Sequence, residues 1–163
     1  MLSAPLICTV GSKILVGDML EMSFNNIQTP TLWRNFMPRR NQIPNVISSD
    51  LYSVQILKKF EVPNPQSEFE KWACVEVDQV TEIPPNMKTL IIPEGLYVIF
   101  HYKGLDTEGY KVFQWIFNDW MAKSDYAFDN RPQFEILTDK YKRNDVNSEE
   151  DIYIPIKLKK AEN

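Results

Sequence analysis

The clearest hydrophobic pattern lies in the second half of the chain, where a strand-like run is followed by a helical period. Residues 96–102 form an unbroken apolar and aromatic run that ends before Gly104, which predicts a buried strand. Apolar residues then recur at the spacing of one helical face: Phe113, Ile116, Phe117, Trp120 and Met121. After a turn at Pro132, Glu135 interrupts a short apolar strand, and we expect the function to lie there.

Both halves of the chain show the same predicted order of strand, helix, strand and strand. In the first half these segments are residues 13–24, 29–40, 51–58 and 72–77, and in the second half 97–102, 107–121, 133–138 and 152–157. The break at residues 84–86 divides one domain, 1–163, into halves of about 1–83 and 86–158. The order predicts an α+β fold in which an antiparallel sheet carries two main helices on one face. The polar stretch 140–151 predicts an exposed loop.

Composition excludes several classes of function. With a net charge of -4 and a pI of about 5.1, the chain shows no basic footprint for nucleic acid. No apolar stretch is long enough to span a bilayer and no targeting segment opens the chain, so we expect a cytoplasmic protein without a membrane partner. With two distant cysteines, one histidine and no glycine-rich phosphate loop, we expect no metal and no cofactor.

Strand alternation sorts the candidate site residues into two faces. Phe134 and Ile136 point one way while Glu135 and Leu137 point the other, and in the last strand Tyr153 opposes an apolar set, Ile152, Ile154 and Ile156. If the apolar sets meet the helices and the strands pair in register, Glu135 and Tyr153 share the open face. A carboxylate beside a tyrosine there could bind a cation or transfer protons. The alternative is that Glu135 is an ordinary solvent-facing residue.

Aromatic residues offer a second signal with two interpretations. Trp72 shares a strand face with Cys74 and Glu76, which places it on the concave side with Tyr153, where its ring could stack on a flat ligand. The alternative is that Trp72 is simply part of the core. Trp115 falls opposite the apolar stripe of its helix and is predicted to be exposed, or to form a lid or an interface.

Four segments together resemble the GyrI-like small-molecule-binding family, which includes effector-binding domains of AraC- and MerR-type regulators and stand-alone proteins. The segments are IPEGLYVIFHYKG, FQWIFNDWMAKSDY, RPQFEILTD and EEDIYIPIK, with LWRNFMPRRNQIPN in the first half. The resemblance implies a duplicated strand-helix-strand-strand (SHS2) fold with a central cavity on a pseudo-two-fold axis. It assigns Glu135 to a ligand's positive charge and Tyr153 to the cavity wall. Tyr52 matches less closely, and Leu137 replaces a tyrosine of the family.

The resemblance implies a stand-alone protein that binds an aromatic or cationic effector or drug, in regulation or in resistance by sequestration. No helix-turn-helix segment precedes the domain, so we expect no direct contact with DNA. One alternative is a hydrolase of electrophilic small molecules in which Glu135 and Tyr153 act on the substrate. Another is a gyrase-inhibitor-like protein that acts on a protein partner. Enzyme activity and oligomeric state stay open.

Overall fold

The computed structural model describes residues 1–160, and within them nine strands form one antiparallel sheet. The strands are β1 (Leu6–Val10), β2 (Lys13–Ser23), β3 (Leu51–Leu57), β4 (Glu68–Val77), β5 (Lys88–Ile92), β6 (Gly95–Lys103), β7 (Tyr126–Phe128), β8 (Gln133–Leu137) and β9 (Glu149–Leu158). Across the sheet the order is β1-β6-β9-β8-β3-β4-β2-β5, and β7 pairs with β9. The central pair β8-β3 is the seam between the halves.

The first helix, α1 (Thr29–Phe36), has Pro30 at its start, where a missing N–H is tolerated. Pro38 follows its end, and the chain continues as a 3₁₀ helix, Met37–Gln42. Leu32 and Phe36 are buried against the first half of the sheet, in a cluster completed by Val16, Ile43, Ala73, Val75, Val77 and Met87. This helix therefore covers the face of β2 and β4 that carries Val16 and Val75.

The second helical segment, residues 106–123, is irregular. It comprises a 3₁₀ turn (Asp106–Glu108), α2 (Gly109–Trp115), a π-helical stretch (Ile116–Trp120) and α3 (Met121–Lys123). Only Ile116 and Met121 are fully buried in it, so the predicted buried face of five residues is wrong in part. Phe113, Phe117 and Trp120 are half-buried because they lie at the margins of the contact with the sheet. No helix within residues 1–160 is long and apolar enough to cross a membrane.

The predicted α+β fold and the order of elements in each half are confirmed, with three additions. Strands β5 and β7 were not predicted. Strand β9 begins at Glu149, inside the stretch that polarity assigned to an exposed loop. Glu149, Glu150 and Asp151 are polar, yet they belong to β9 and pair with β6. Their composition alone does not reveal this pairing.

Two short connections force the sheet to curl back on itself. Residues 11–12 join β1 to β2 and residues 93–94 join β5 to β6, although each pair lies six positions apart in the sheet. Such a connection spans at most about 11 Å, whereas six strand spacings in a flat sheet amount to about 29 Å. The two ends of the sheet must therefore approach each other. Each edge strand, β1 or β5, consequently pairs with the half of the chain that it does not lead into.

The face turned away from the helices is filled by the protein's own rings and aliphatic side chains. Its buried members are Leu15, Tyr52, Val54, Trp72, Cys74, Ile92, Tyr97 and Phe134, which we call the inner core. Phe134 stacks on Tyr153 with ring centroids 4.5 Å apart and planes 14° apart. It also meets the edge of Tyr97 at 5.4 Å. Curling buries this face without any helix above it, so the central strands are covered on both faces.

Replacing the ring at the centre of the inner core should destabilise the whole fold. We expect Phe134→Ala to lower the free energy of unfolding by about 3–5 kcal/mol, through lost transfer energy and a new cavity. Urea denaturation measures this change. The control is Phe60→Ala, because that ring is 46% exposed, and we expect it to cost less than about 1 kcal/mol. Equal costs for the two variants would contradict a central role for Phe134.

Candidate functional site

Strand register places the predicted charged residue on the helix-covered face. Glu135 lies opposite Ser53 on β3 and Ile152 on β9, and Ile152 packs against the second helical segment. Tyr153 lies opposite Phe134 and belongs to the other face. The prediction that Glu135 and Tyr153 share a face is therefore wrong. Its premise failed because the two apolar sets do not meet the same layer: Phe134 enters the inner core, while Ile152 meets a helix.

Three of the predicted site residues come together in the inner core, away from Glu135. Trp72 is 5% exposed and donates its indole N–H to Glu70 at 3.1 Å. Tyr52 is 4% exposed and donates its hydroxyl to Glu76 at 2.8 Å. Burial, together with that bond, raises the pKa of Tyr52 well above its ordinary value. Tyr153 packs beside them, so this face is occupied by mutual packing of the rings.

A narrow cleft lies on the other face, above the seam between β8 and β3. Its floor is formed by Gln55 and Gln133, whose Cα atoms are paired across the seam. Its walls are mainly aromatic: Phe24, Tyr110, Phe113 and Phe117, with Pro63, Gln114 and Asn118. The enclosed volume is about 30 Å³, enough for a single water molecule. A space of this size holds no effector, so the cleft does not confirm the central cavity expected on the pseudo-two-fold axis.

Aromatic contacts close this cleft across the two halves. Phe24, which follows β2, lies 4.8 Å from the ring of Phe69 and 5.2 Å from that of Tyr110 on α2. Offset or tilted ring pairs of this kind contribute roughly 0.5–1.5 kcal/mol beyond the area they bury. Parting Phe24 from Tyr110 would open the cleft at a modest energetic cost.

A cluster of ionisable groups adjoins the cleft on the same face. Glu135 on β8 and Glu150 on β9 are within hydrogen-bonding reach, and Lys71 and Asp106 lie close enough to influence them. Burial raises the pKa of Glu150, and the negative charge of Glu135 adds to the effect. A protonated Glu150 carboxyl can donate a hydrogen bond to Glu135. Nearby, Tyr141 donates its hydroxyl to Asp106 at 3.1 Å.

Leu137, the remaining predicted site residue, also lies on the helix-covered face and is 7% exposed. It is paired across the seam with Leu51. Among the described residues no three acidic, histidine or cysteine side chains are arranged to hold a metal ion. The site therefore offers carboxyl groups, amides and rings.

Sequence reasoning missed the two residues that complete the site, Glu150 and Gln133. Extending the alternation of the last strand backwards from Ile152 places Glu150 on the face of Ile152, and only the observed register of β8 with β9 puts Glu135 on that face too. Gln133 precedes Glu135 by two positions and so shares its face. Gln133 pairs with Gln55 across the seam and Gln55 pairs with Lys71 on β4, but the pairing of β3 with β8 joins the two halves and leaves no local signal.

Gln133 is the unusual member of the floor. Its side chain is 4% exposed, and its Oε1 atom is buried without a hydrogen-bond partner among the described residues. Two other buried polar side chains are paired: Ser67 accepts from the Asn64 N–H at 2.9 Å and Ser148 from the Lys142 N–H at 2.7 Å. Leaving a buried acceptor unpaired costs about 1–3 kcal/mol.

Comparisons with known proteins agree with this architecture. A sequence model of the family described as Cass2, integron-associated effector binding protein, matches residues 10–156. The transcriptional regulator BrlR of Pseudomonas aeruginosa is 26% identical over 126 residues, which make up 77% of this chain and 45% of the regulator. The chain thus spans less than half the length of that relative.

Solved structures share the fold at low identity. An integron cassette protein from the mobile metagenome of Vibrio cholerae superposes with a TM-score of 0.65 at 12% identity, covering 96% of this chain and 97% of its own. A protein solved in complex with tetraphenylphosphonium superposes with a TM-score of 0.61 at 16% identity, covering 95% and 94%. The expected GyrI-like architecture is confirmed by these matches.

The raised pKa of Glu150 makes stability depend on pH. Between the ordinary pKa of 4.5 and the raised folded-state value, the folded protein holds a proton that the unfolded chain has lost. The stability that this proton contributes is fully present below pH 4.5. It is lost as pH rises, by up to about 1.4 kcal/mol for each pH unit. We expect the stability difference between Glu150→Gln and wild type to grow in favour of the variant from about pH 5 to about pH 8.

Thermal and urea unfolding across that pH range measure this difference. The control is Glu82→Gln, an exposed glutamate whose replacement should leave the pH profile unchanged. A wild-type profile that Glu150→Gln does not alter would show that Glu150 is ionised in the folded protein.

Proposed function

Because the chain belongs to the Cass2 family of integron-associated effector-binding proteins, we propose that it binds a small aromatic cation in the cleft above the seam between β8 and β3. The observation that carries this proposal is the pair of carboxyl groups, Glu135 and Glu150, beside a cleft walled by rings. Binding sites for small molecules are typically concave and mostly apolar, with a few polar groups that fix orientation.

Charge favours a cationic ligand. Glu135, Asp106 and Lys71 all lie close enough to Glu150 to affect its pKa, so acidic groups outnumber the single ammonium group in this cluster. Without a ligand, Glu150 keeps its proton because two carboxylates cannot both ionise at low cost in a buried site. A bound cation would take the place of that proton and stabilise the ionised pair. An anionic ligand would instead be repelled by Glu135 and Asp106.

The rings supply the second part of the recognition. Phe113 and Tyr110 come from α2, while Phe24 comes from the opposite half, so a flat ligand entering the cleft would lie between aromatic faces. Cations near aromatic faces gain about 0.5–2 kcal/mol each, more where water is excluded. The protein solved with tetraphenylphosphonium has the same fold, and its ligand is a lipophilic aromatic cation of this class.

Entry of a ligand requires the second helical segment to move, since the cleft holds only about 30 Å³ and typical ligand sites hold roughly 300–1,000 Å³. This segment is suited to movement. It is interrupted by a 3₁₀ turn and a π-helical stretch, and it is anchored by only two fully buried residues, Ile116 and Met121. Such weakly anchored elements open at low free energy.

The role that follows is capture of an effector, in sensing or in sequestration. The regulator BrlR is similar to this chain over part of its length, which supports a link between ligand capture and transcription. In that role the ligand-driven movement of residues 106–123 would be the signal passed to a protein partner.

Removing the charge of Glu135 should weaken binding of tetraphenylphosphonium. We expect Glu135→Gln to raise the dissociation constant at least about tenfold, because the electrostatic attraction between the phosphonium and the half-buried Glu135 carboxylate is lost. Isothermal titration calorimetry measures this change, and the melting temperature should stay close to that of wild type. The control is Glu149→Gln, since Glu149 lies beside Glu150 in β9 but faces the other side, where it binds His101 at 2.8 Å. Undiminished affinity in Glu135→Gln would contradict the proposed site.

The carboxyl pair also supports a second candidate, hydrolysis of electrophilic small molecules. A neutral Glu150 could protonate a leaving oxygen while Glu135 activates water, which is the usual division of labour between two carboxyl groups. Tyr153 cannot assist at this site because it lies on the other face of the sheet. Under this candidate, wild type opens an aryl epoxide at a rate that falls at least about a hundredfold in Glu135→Gln. Equal rates with and without protein would exclude it.

A further inference from the structure

We propose that Gln133 determines the specificity of the cleft by accepting a hydrogen bond from an N–H group of the bound molecule. The inference rests on the proposed function, because it concerns the same cleft, and it adds a chemical requirement to the ligand. The preferred ligand is then an aromatic cation that carries an N–H donor away from its positive centre.

The first argument is the unpaired state of the Gln133 side chain. The Gln133 Oε1 atom is buried, and no described residue donates a hydrogen bond to it. Buried polar groups in folded proteins are nearly always paired, and a persistent exception needs an explanation. An unpaired acceptor gains a hydrogen bond when a ligand donor reaches it, whereas an amide that is already paired would only exchange one hydrogen bond for another.

Position is the second argument. Gln133 lines the cleft directly, and its partner across the seam is Gln55, another buried amide at 6% exposure. The other unpaired buried side-chain atom among the described residues, Nη1 of Arg131, lies against Gly95, outside the cleft. Gln133 therefore combines an unpaired buried group with a position in the floor of the cleft.

Spacing along β8 defines where the donor must lie. Gln133 and Glu135 are two positions apart on one strand and point to the same face, so their Cα atoms are separated by about 7 Å. A ligand whose positive centre meets Glu135 would present its N–H to Gln133 if the two groups lie at opposite ends of one fused aromatic ring system. The rings of Tyr110 and Phe113 would cover the flat face between them.

A matched pair of permanent cations tests this inference. The probes are an amino-substituted N-methylquinolinium and its dimethylamino analogue, which carry the same fixed charge, while the second lacks the N–H donor and is larger by two methyl groups. We expect wild type to bind the amino probe about tenfold more tightly. Leaving the buried acceptor unpaired costs about 1.4 kcal/mol, which corresponds to a tenfold change in the dissociation constant. Fluorescence titration measures both dissociation constants.

The variant Gln133→Met should remove the preference and bring the ratio of the two dissociation constants close to one. Methionine keeps the length of the side chain and removes the acceptor, so the fold should be retained. The matched control is Gln79→Met, at an exposed glutamine outside the cleft, which should keep the preference. Equal wild-type affinities overturn the inference without any variant, so the test stands even if Gln133→Met fails to fold.

Equal affinity of wild type for the two probes would overturn the inference, as would a preference that survives in Gln133→Met. Tetraphenylphosphonium, which has no N–H donor, separates the two levels of failure. If wild type binds it through Glu135 but does not discriminate between the quinolinium probes, only the role of Gln133 is wrong. If wild type binds none of the three cations, the proposed function and the inference both fail.

Discussion

The two-residue connections at 11–12 and 93–94 are the constraint on which the rest of the structure depends. They hold strands from opposite ends of the sheet within reach of each other, so the sheet curls and encloses Phe134, Tyr97 and Trp72 in a core that no helix covers. With one face of the central strands used for packing, the polar residues of β3 and β8 are left to the other face. The cleft above the seam is therefore the place where the fold leaves ring-lined space beside charge.

Polar groups on that face are held at an energetic disadvantage that a ligand would remove. Burial and the charge of Glu135 raise the pKa of Glu150, and Gln133 has a buried oxygen without a donor among the described residues. A fold optimised only for stability would replace such groups with apolar side chains, because half-paired buried polar clusters are costly. Gln133 lies in the floor of the cleft, which Phe24 and Tyr110 close across the two halves. Under the proposed function, a ligand can enter only if the helical segment moves.

Alternation along each strand predicted the order of the elements and sorted side chains correctly into two sets per strand. It could not say which layer each set meets, because that depends on long-range pairing and on the curl of the sheet. Glu135 and Tyr153 were consequently assigned to one face although they lie on opposite faces. The resemblance to a known family located the strand that carries Glu135, but Glu150 was hidden within a stretch that composition assigned to a loop.

Under the proposed function, the ligand lies on the helix-covered face of the seam and leaves the inner core intact. A crystal structure of the protein with tetraphenylphosphonium would test this position of the ligand. We expect the phosphonium beside Glu135, with the rings of Phe24 and Tyr110 moved apart from their 5.2 Å contact. A ligand found among Trp72 and Tyr153, with the cleft still closed, would contradict it.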